Sequence, residues 1–236
     1  MPEANFAYVQ QRAVKGICFI QWTLCATRAE ASHQVNHPIS YLWLMDQKRL
    51  YIISGCNGAG KTTASFNILP EILSCKEFVN ADEIARGLSP FQPGKVAVEA
   101  GRLMLNRISE LMNAGEDFAF ETTLSTRSYK SRVLEAQAEG YFVTLIYYWL
   151  ETPELAEKRV ELRVKEGGHN IPKDVIYRRY IKGIQNLFNI YLPICDYSMI
   201  FDNSKPDPVL VYESEKGGQE IIHDPERLSN IKKYLA

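Results

Sequence analysis

The chain has 236 residues, of which 46% are hydrophobic and 23% charged, and its formal net charge is −1. This length suits a single domain with a buried core, and the near-neutral charge without a long basic run argues against a nucleic-acid partner. The five cysteines are odd in number and scattered, which argues against a zinc cluster or a disulfide framework. We therefore predict a reduced, cytoplasmic protein that binds neither nucleic acid nor membrane.

The N-terminal extension, residues 1–49, differs in pattern from the rest of the chain. Its apolar segment at 16–25 is interrupted by Gln21 and Thr23, lacks a good cleavage pattern and is too short to cross a bilayer. These features argue against a signal peptide. Met45 directly precedes the first predicted strand, and we hypothesise that it is the natural start, with the upstream segment disordered or not part of the native protein.

The most informative stretch is an apolar strand followed by G-x-x-x-x-G-K-T at residues 55–62 and then by a helix. Its glycines let successive N–H groups point toward phosphate oxygens, and the helix N-terminus adds the positive end of its dipole. In this motif Lys61 reaches the β- and γ-phosphates, and the Thr62 hydroxyl ligates Mg²⁺. The stretch predicts a P-loop that binds ATP and Mg²⁺. The predicted nucleotide contacts are Gly55, Cys56, Asn57, Gly58, Ala59, Gly60, Lys61, Thr62 and Thr63.

From residue 50 onward, short apolar strands alternate with helix-length amphipathic segments, as in βαβ units covered on both faces. We expect an α/β fold of the P-loop NTPase type, a three-layer sandwich with a mostly parallel sheet, a helical lid and a C-terminal hairpin. The predicted core strands are 50–54, 77–80, 117–120, 141–150 and 197–202. The predicted helices are 64–73, 95–113, 128–138, 154–165 and 172–191. The predicted hairpin pairs 208–212 with 219–223, and a terminal helix follows at 226–235.

Polar side chains follow the second and third predicted strands, where ligands bind in open α/β sheets. Asp82 is suited to accept a proton from an acceptor hydroxyl or to help hold Mg²⁺, although an aspartate here is also a common helix N-cap. Glu121 is suited to bind acceptor hydroxyls or to orient the metal shell, and Thr123 lies beside it. The alternative for Glu121 is a solvated strand end or another cap.

A second group of charged residues lies on the predicted helix 154–165. Arg159 and Arg163, called the lid arginines below, are four residues apart and so share one helix face. Guanidinium groups on a mobile element suit a transferring phosphoryl group, and the following G-G-H-N-I-P stretch is suited to a closing lid. The alternative is a solvated helix with Glu–Arg pairs. Arg178 and Arg179 lie near the same joint, and we rank them below the lid arginines.

With these motifs in order, the chain from about residue 50 to 204 resembles the zeta-toxin-like family of P-loop kinases. The resemblance rests on the P-loop, N-A-D at 80–82, F-E-T-T at 120–123, the arginine helix with G-G-H-N-I-P, and F-D-N-S at 201–204. It implies a fold similar to small-molecule kinases such as chloramphenicol phosphotransferase. It also implies ATP-dependent phosphorylation of UDP-N-acetylglucosamine at the sugar 3′-hydroxyl, and an antitoxin partner that covers the ATP site.

The resemblance further implies a role for each matching residue. Asp82 would be the general base on the acceptor hydroxyl, Lys61 and the lid arginines would stabilise the transferring phosphoryl group, and Glu121 and Thr123 would contact the acceptor. The chain departs from the family in having Thr122 where the toxins tend to have glycine, and in a compact region after the N-A-D motif. These departures concern the acceptor and leave phosphotransfer intact.

The resemblance implies a kinase domain over residues 50–204, with 205–236 packed on the same domain. The leading interpretation is an ATP- and Mg²⁺-dependent kinase of a small hydroxylated metabolite such as a UDP-amino sugar. A kinase of another small acceptor, such as a nucleoside or an antibiotic, is the alternative among enzymes. An ATP-switched binding protein without enzymatic activity is the alternative of a different class. The chain lacks the N-K-x-D of GTPases and the complete L-S-G-G-Q of ABC-type ATPases.

Overall fold

A seven-stranded sheet forms the centre of the computed structural model, which describes residues 47–168 and 170–235. The N-terminal extension was predicted to span residues 1–49, and its residues 1–46, including the start proposed at Met45, lie outside the described residues. The strands are β1 (Arg49–Gly55), β2 (Glu77–Val79), β3 (Phe118–Thr122), β4 (Phe142–Trp149), β5 (Tyr197–Asp202), β6 (Val209–Glu215) and β7 (Glu220–Ile222).

The strands lie in the order β2-β3-β1-β4-β5-β6-β7. Strands β1 to β5 pair in parallel, whereas β6 and β7 are antiparallel and form a hairpin at one edge. The predicted mostly parallel sheet and the C-terminal hairpin are confirmed. Because β1 lies between β3 and β4, the loop that follows β1 emerges at the middle of the carboxyl edge of the parallel strands.

Helices connect the strands. They are α1 (Lys61–Glu71), α2 (Ala81–Leu88), α3 (Ala97–Ala114), α4 (Tyr129–Ala138), α5 (Pro153–Lys165), α6 (Lys173–Asn186) and α7 (Pro225–Lys232). The helix predicted at 95–113 begins two residues later, because Pro93–Val96 forms a 3₁₀ turn. The helix predicted to reach residue 191 changes to a π-helical turn at Leu187–Tyr191, which continues into the short helix Leu192–Ile194.

The core agrees with the sequence pattern. On α3 the predicted apolar stripe is buried at Ala100, Met104, Ile108 and Leu111, whereas Ala97, at the start of the helix, is exposed. In β4 every residue after Phe142 is buried, as expected for a strand covered on both faces. Among residues 47–168 and 170–235, none of the helices has the length and apolar character that crossing a bilayer requires.

A buried hydroxyl joins α6 to the carboxyl end of β4. The Tyr180 hydroxyl donates a hydrogen bond to the Leu150 carbonyl (2.7 Å) and accepts one from Trp149 Nε1 (3.0 Å). Tyr180 and Trp149 are both almost fully buried, so neither polar group has water as an alternative partner. This pair of bonds fixes α6 beside the site described below.

Tyr180→Phe is therefore expected to lower the free energy of unfolding by about 1–3 kcal/mol, because a buried carbonyl and a buried indole N–H both lose their partner. Urea unfolding measures this change. Tyr177→Phe is the matched control, since its hydroxyl bonds Glu157 and Glu154 near the surface and its loss should change stability by less than about 0.5 kcal/mol. Equal losses in the two variants would contradict the assignment.

Candidate active site

The P-loop connects β1 to α1 and leaves the N-terminus of α1 open. Gly60 is the N-cap residue, with φ +81°, and no side chain caps the helix. The first turn of α1 also contains no acidic residue, so its free N–H groups and the positive end of the dipole are available to an anion. At Gly58, where φ is +78°, a Cβ atom would lie 2.8 Å from the Ala156 carbonyl oxygen, because α5 packs directly against the loop.

The turn after β5 holds the P-loop from the other side. Asn203 Nδ2 donates to the Ala59 carbonyl (2.7 Å), and the Asn203 backbone N–H donates to Trp149 (2.8 Å). The preceding Asp202 accepts hydrogen bonds from Ser204 and is paired with Arg227 Nε of α7 at 2.8 Å. The end of β5, part of the F-D-N-S motif, therefore fixes the shape of the phosphate loop.

Lys61 is buried inside the loop, with 6% of its side chain exposed. Its ammonium group donates to the Cys56 carbonyl (3.0 Å) and lies 3.4 Å from Glu121 Oε1. Burial raises the pKa of the Cys56 thiol to about 11, against the opposing effect of the Lys61 charge. The thiol is therefore protonated and uncharged at neutral pH. The positive charge within the P-loop comes from Lys61.

Glu121 contacts the P-loop directly. Its Oε2 accepts hydrogen bonds from Thr62 Oγ1 (2.7 Å) and Asn80 Nδ2 (2.9 Å), and only 9% of its side chain is exposed. Strand β3 runs through Thr122 rather than ending at Phe120, and its pairing with β1 sets Glu121 opposite Ile53. The sequence left two roles open for Glu121, and this placement favours the one at the metal shell.

Asp82 lies in the first turn of α2 but does not cap it. The N-cap is Asn80, whose Oδ1 accepts a hydrogen bond from the Asp82 backbone N–H (2.9 Å). Within the described part of the chain, the Asp82 carboxylate makes no hydrogen bond or ion pair, and it is exposed. The capping role considered for Asp82 thus belongs to Asn80, and the carboxylate is free for other contacts.

A small cleft of about 60 Å³ lies beside Asp82. Small residues of α2 and of the segment that leads into α3 form most of its wall, and three charged side chains, Asp82, Arg86 and Arg163, complete it. The Arg163 Nε atom is buried and has no hydrogen-bond partner among the described residues. One carboxylate and two guanidinium groups therefore line the same small space.

The candidate arginines of α5 and α6 contact different parts of the structure. Arg159 Nη2 donates to the Ser204 carbonyl (3.0 Å), whereas Arg179 Nη1 donates to Asn57 Oδ1 of the P-loop (3.2 Å). Burial lowers the pKa of Arg179, and the nearby Asp82 charge acts in the opposite direction. Arg178 is exposed. Arg179 thus contacts a P-loop side chain, and its ranking below the lid arginines for reaching the phosphates remains a prediction.

Thr123 follows β3, and its Oγ1 shares a hydrogen bond with Ser125 Oγ (2.9 Å). Its carbonyl oxygen lies against Gly183 of α6, where a Cβ atom would approach to 2.7 Å. The predicted contact of Thr123 with the acceptor remains a prediction. Asn80, which the sequence places with Asp82 among the polar groups at the end of the second strand, is the N-cap of α2.

A P-loop at the centre of a parallel sheet with strand order 2-3-1-4-5 defines a P-loop kinase-like fold. The profile of the zeta toxin family matches residues 44–205. The chain belongs to the zeta toxin family, and the resemblance described above is confirmed. An uncharacterised protein of Haemophilus influenzae is 32% identical over 140 residues, which make up 59% of this chain and 96% of that protein.

Solved structures agree on the fold. The crystal structure of AvrRxo1-ORF1:AvrRxo1-ORF2 with sulphate ions has a TM-score of 0.67 at 19% identity, and covers 80% of this chain. This chain spans 65% of the matched chain, slightly less than two thirds, and the same complex solved with ATP gives the same values. The PezAT toxin-antitoxin system of Streptococcus pneumoniae has a TM-score of 0.54 at 18% identity, covering 92% of this chain and 94% of the other. The family and fold together support an ATP-dependent P-loop kinase.

Proposed function

We propose that the protein is a Mg²⁺-dependent kinase that transfers the γ-phosphoryl group of ATP to a hydroxyl group of a small metabolite. UDP-N-acetylglucosamine is the first acceptor to test, because the family resemblance points to it. The observation that carries the proposal is the arrangement of two carboxylates. Glu121 contacts Lys61 and Thr62 of the P-loop, whereas Asp82 lines a cleft and its carboxylate has no partner among residues 47–168 and 170–235.

The nucleotide side fits Mg²⁺ bound together with phosphate oxygens. The Thr62 hydroxyl and the Glu121 carboxylate are hard oxygen ligands 2.7 Å apart, and Mg²⁺ is commonly held by one or two such groups plus substrate phosphates. No cluster of three or more His, Cys, Asp or Glu residues that could hold a metal occurs in residues 47–168 and 170–235. Bound there, Mg²⁺ would offset phosphate charge, while Lys61 binds the phosphates and the N–H groups of α1 orient them.

On the acceptor side, Asp82 supplies the base. In the proposed step the acceptor hydroxyl gives its proton to an Oδ atom of Asp82, its oxygen bonds to the γ-phosphorus, and ADP leaves with the electrons of the broken P–O bond. We propose that the acceptor binds beside Asp82, so that its hydroxyl reaches both this carboxylate and the γ-phosphate. An unpaired carboxylate suits this role, because a carboxylate held by an arginine would be a weaker base.

The arginines neutralise charge around the transferring group. Arg163 lines the same cleft as Asp82, and Arg179 reaches the P-loop at Asn57. We propose that both side chains approach the transferring phosphoryl group between the P-loop and Asp82. Arg159 contacts the turn after β5 through Nη2, and we propose that its other N–H groups join them.

A protein partner is also proposed. PezAT is a toxin-antitoxin system, and AvrRxo1-ORF1 was solved in a complex with AvrRxo1-ORF2. We expect an antitoxin-like partner that covers the ATP site of this chain. Co-expression with its neighbouring small reading frames, followed by affinity purification, tests for such a partner.

The direct test is to incubate the purified protein with Mg²⁺ and γ-labelled ATP against UDP-sugars, nucleosides and a metabolite extract. Label in UDP-N-acetylglucosamine, lost when EDTA replaces Mg²⁺, would support the full proposal. Label in another small molecule would support the kinase and reject the sugar nucleotide. Bound ATP without transfer to any acceptor would contradict the proposal and favour an ATP-switched binding protein.

A further inference from the structure

We infer that Asn80 is a positioning residue that couples the nucleotide side of the site to the acceptor side. This inference rests on the proposed function and deepens it. Asn80 occupies the end of β2 and the N-cap of α2, and it is 6% exposed. One amide group there contacts both carboxylate-bearing residues of the site.

The two ends of the amide have different partners. Nδ2 donates to Glu121 Oε2 (2.9 Å), and Oδ1 accepts from the Asp82 backbone N–H (2.9 Å). Glu121 Oε2 in turn accepts from Thr62 Oγ1 (2.7 Å), so a continuous chain of hydrogen bonds runs from the P-loop to Asp82. The amide carries its donor and its acceptor on separate atoms, so it can bond Glu121 and the α2 backbone at the same time.

The Asn80 Nδ2 donor matters because the Lys61 ammonium competes for the Glu121 carboxylate. The Lys61 ammonium already pairs with Glu121 Oε1 at 3.4 Å, and a shift of the carboxylate toward Lys61 would shorten this ion pair. The Asn80 and Thr62 donors both hold Oε2, and so keep the carboxylate oriented toward the Thr62 hydroxyl. Without the Asn80 donor, Glu121 is expected to move toward Lys61 and engage the cation that the phosphates need.

The amide oxygen of Asn80, Oδ1, has a separate, structural effect. As N-cap, Asn80 satisfies a free N–H group of α2 and fixes the helix turn that carries Asp82. A serine at position 80 would keep this cap, but its hydroxyl is too short to reach Glu121 as well. Alanine would remove both interactions. Comparing the two substitutions therefore separates positioning of Glu121 from helix capping.

The experiment measures Mg·ATP affinity by titration calorimetry, phosphotransfer kinetics and the thermal midpoint for Asn80→Ser, Asn80→Ala and the surface control Asn106→Ser on α3. We expect Asn80→Ser to weaken Mg·ATP binding about tenfold and to lower kcat by about 10–100-fold, with the acceptor KM unchanged. Its Tm should stay within about 2 °C of the native value. Asn80→Ala should show the same losses and a Tm lower by about 2–4 °C.

A double variant tests whether the effect passes through Glu121. Adding Asn80→Ser to Glu121→Gln should weaken Mg·ATP binding no further than Glu121→Gln alone, because the two residues act through one contact. Native affinity and kcat in Asn80→Ser, or additive losses in the double variant, would overturn the inference and leave Asn80 as a helix cap only. The affinity measurement needs no acceptor, so it decides the role of Asn80 even if the native protein transfers phosphate to none of the compounds tested.

Discussion

Asp82→Asn is expected to lower the rate of phosphoryl transfer by about 10²–10⁴-fold while leaving ATP binding and folding close to native. The amide cannot take the proton of the acceptor hydroxyl, but it matches the carboxylate in size. Because the Asp82 carboxylate is exposed and unpaired among the described residues, its replacement breaks no stabilising contact. Single-turnover transfer from γ-labelled ATP, with ATP affinity measured in parallel, checks both parts.

Glu83→Gln provides the matched control. Glu83 is the next residue on α2, and its carboxylate forms a surface ion pair with Arg86 at 2.9 Å. Losing an exposed pair of this kind changes stability little, and Glu83 does not line the cleft. An equal loss of transfer in both variants would contradict the role of Asp82 as base, as would a native rate in Asp82→Asn.

Lys61→Met is expected to reduce transfer by about 10²–10³-fold and to weaken ATP binding, because the loop loses its cation at the phosphates. It should also destabilise the protein, since the nearly buried Glu121 carboxylate keeps its two hydrogen bonds but loses the ammonium 3.4 Å away. Calorimetric ATP titration, transfer rates and thermal melts measure the three effects.

Lys76→Met serves as the control for this substitution. Lys76 is exposed and precedes β2, so replacing it makes the same change of charge and size at the surface. Native binding and transfer are expected for it. A Lys61→Met protein that binds Mg·ATP and transfers phosphate at the native rate would reject the P-loop assignment of Lys61.

The fold was largely predictable because its signals are local. The P-loop spacing, the apolar β4 and the helical stripe on α3 each depend on neighbouring residues only, and all three appear in the structure. The π-helical turn at Leu187–Tyr191 was not predictable in this way. Its sequence continues the apolar pattern of α6, and the change of helix type carries no separate signal.

The site was predictable only in part, because its contacts are long-range. The residue types at the ends of β2 and β3 suggested Asp82 and Glu121. The contact of Glu121 with Thr62, however, joins residues 59 positions apart and follows from the register of β3 on β1. The contact of Arg179 with Asn57 spans 122 positions and depends on how α6 packs. Spacing along the chain therefore gave no signal for this contact.

The turn after β5 has a consequence for synthesis of the protein. Asn203 holds the carbonyl of Ala59, 144 positions earlier in the chain. A nascent chain therefore exposes the complete P-loop motif to the cell long before the amide that shapes the loop has left the ribosome. During elongation the motif is present without its finished geometry, and we expect the kinase to become competent only when translation has passed Asn203.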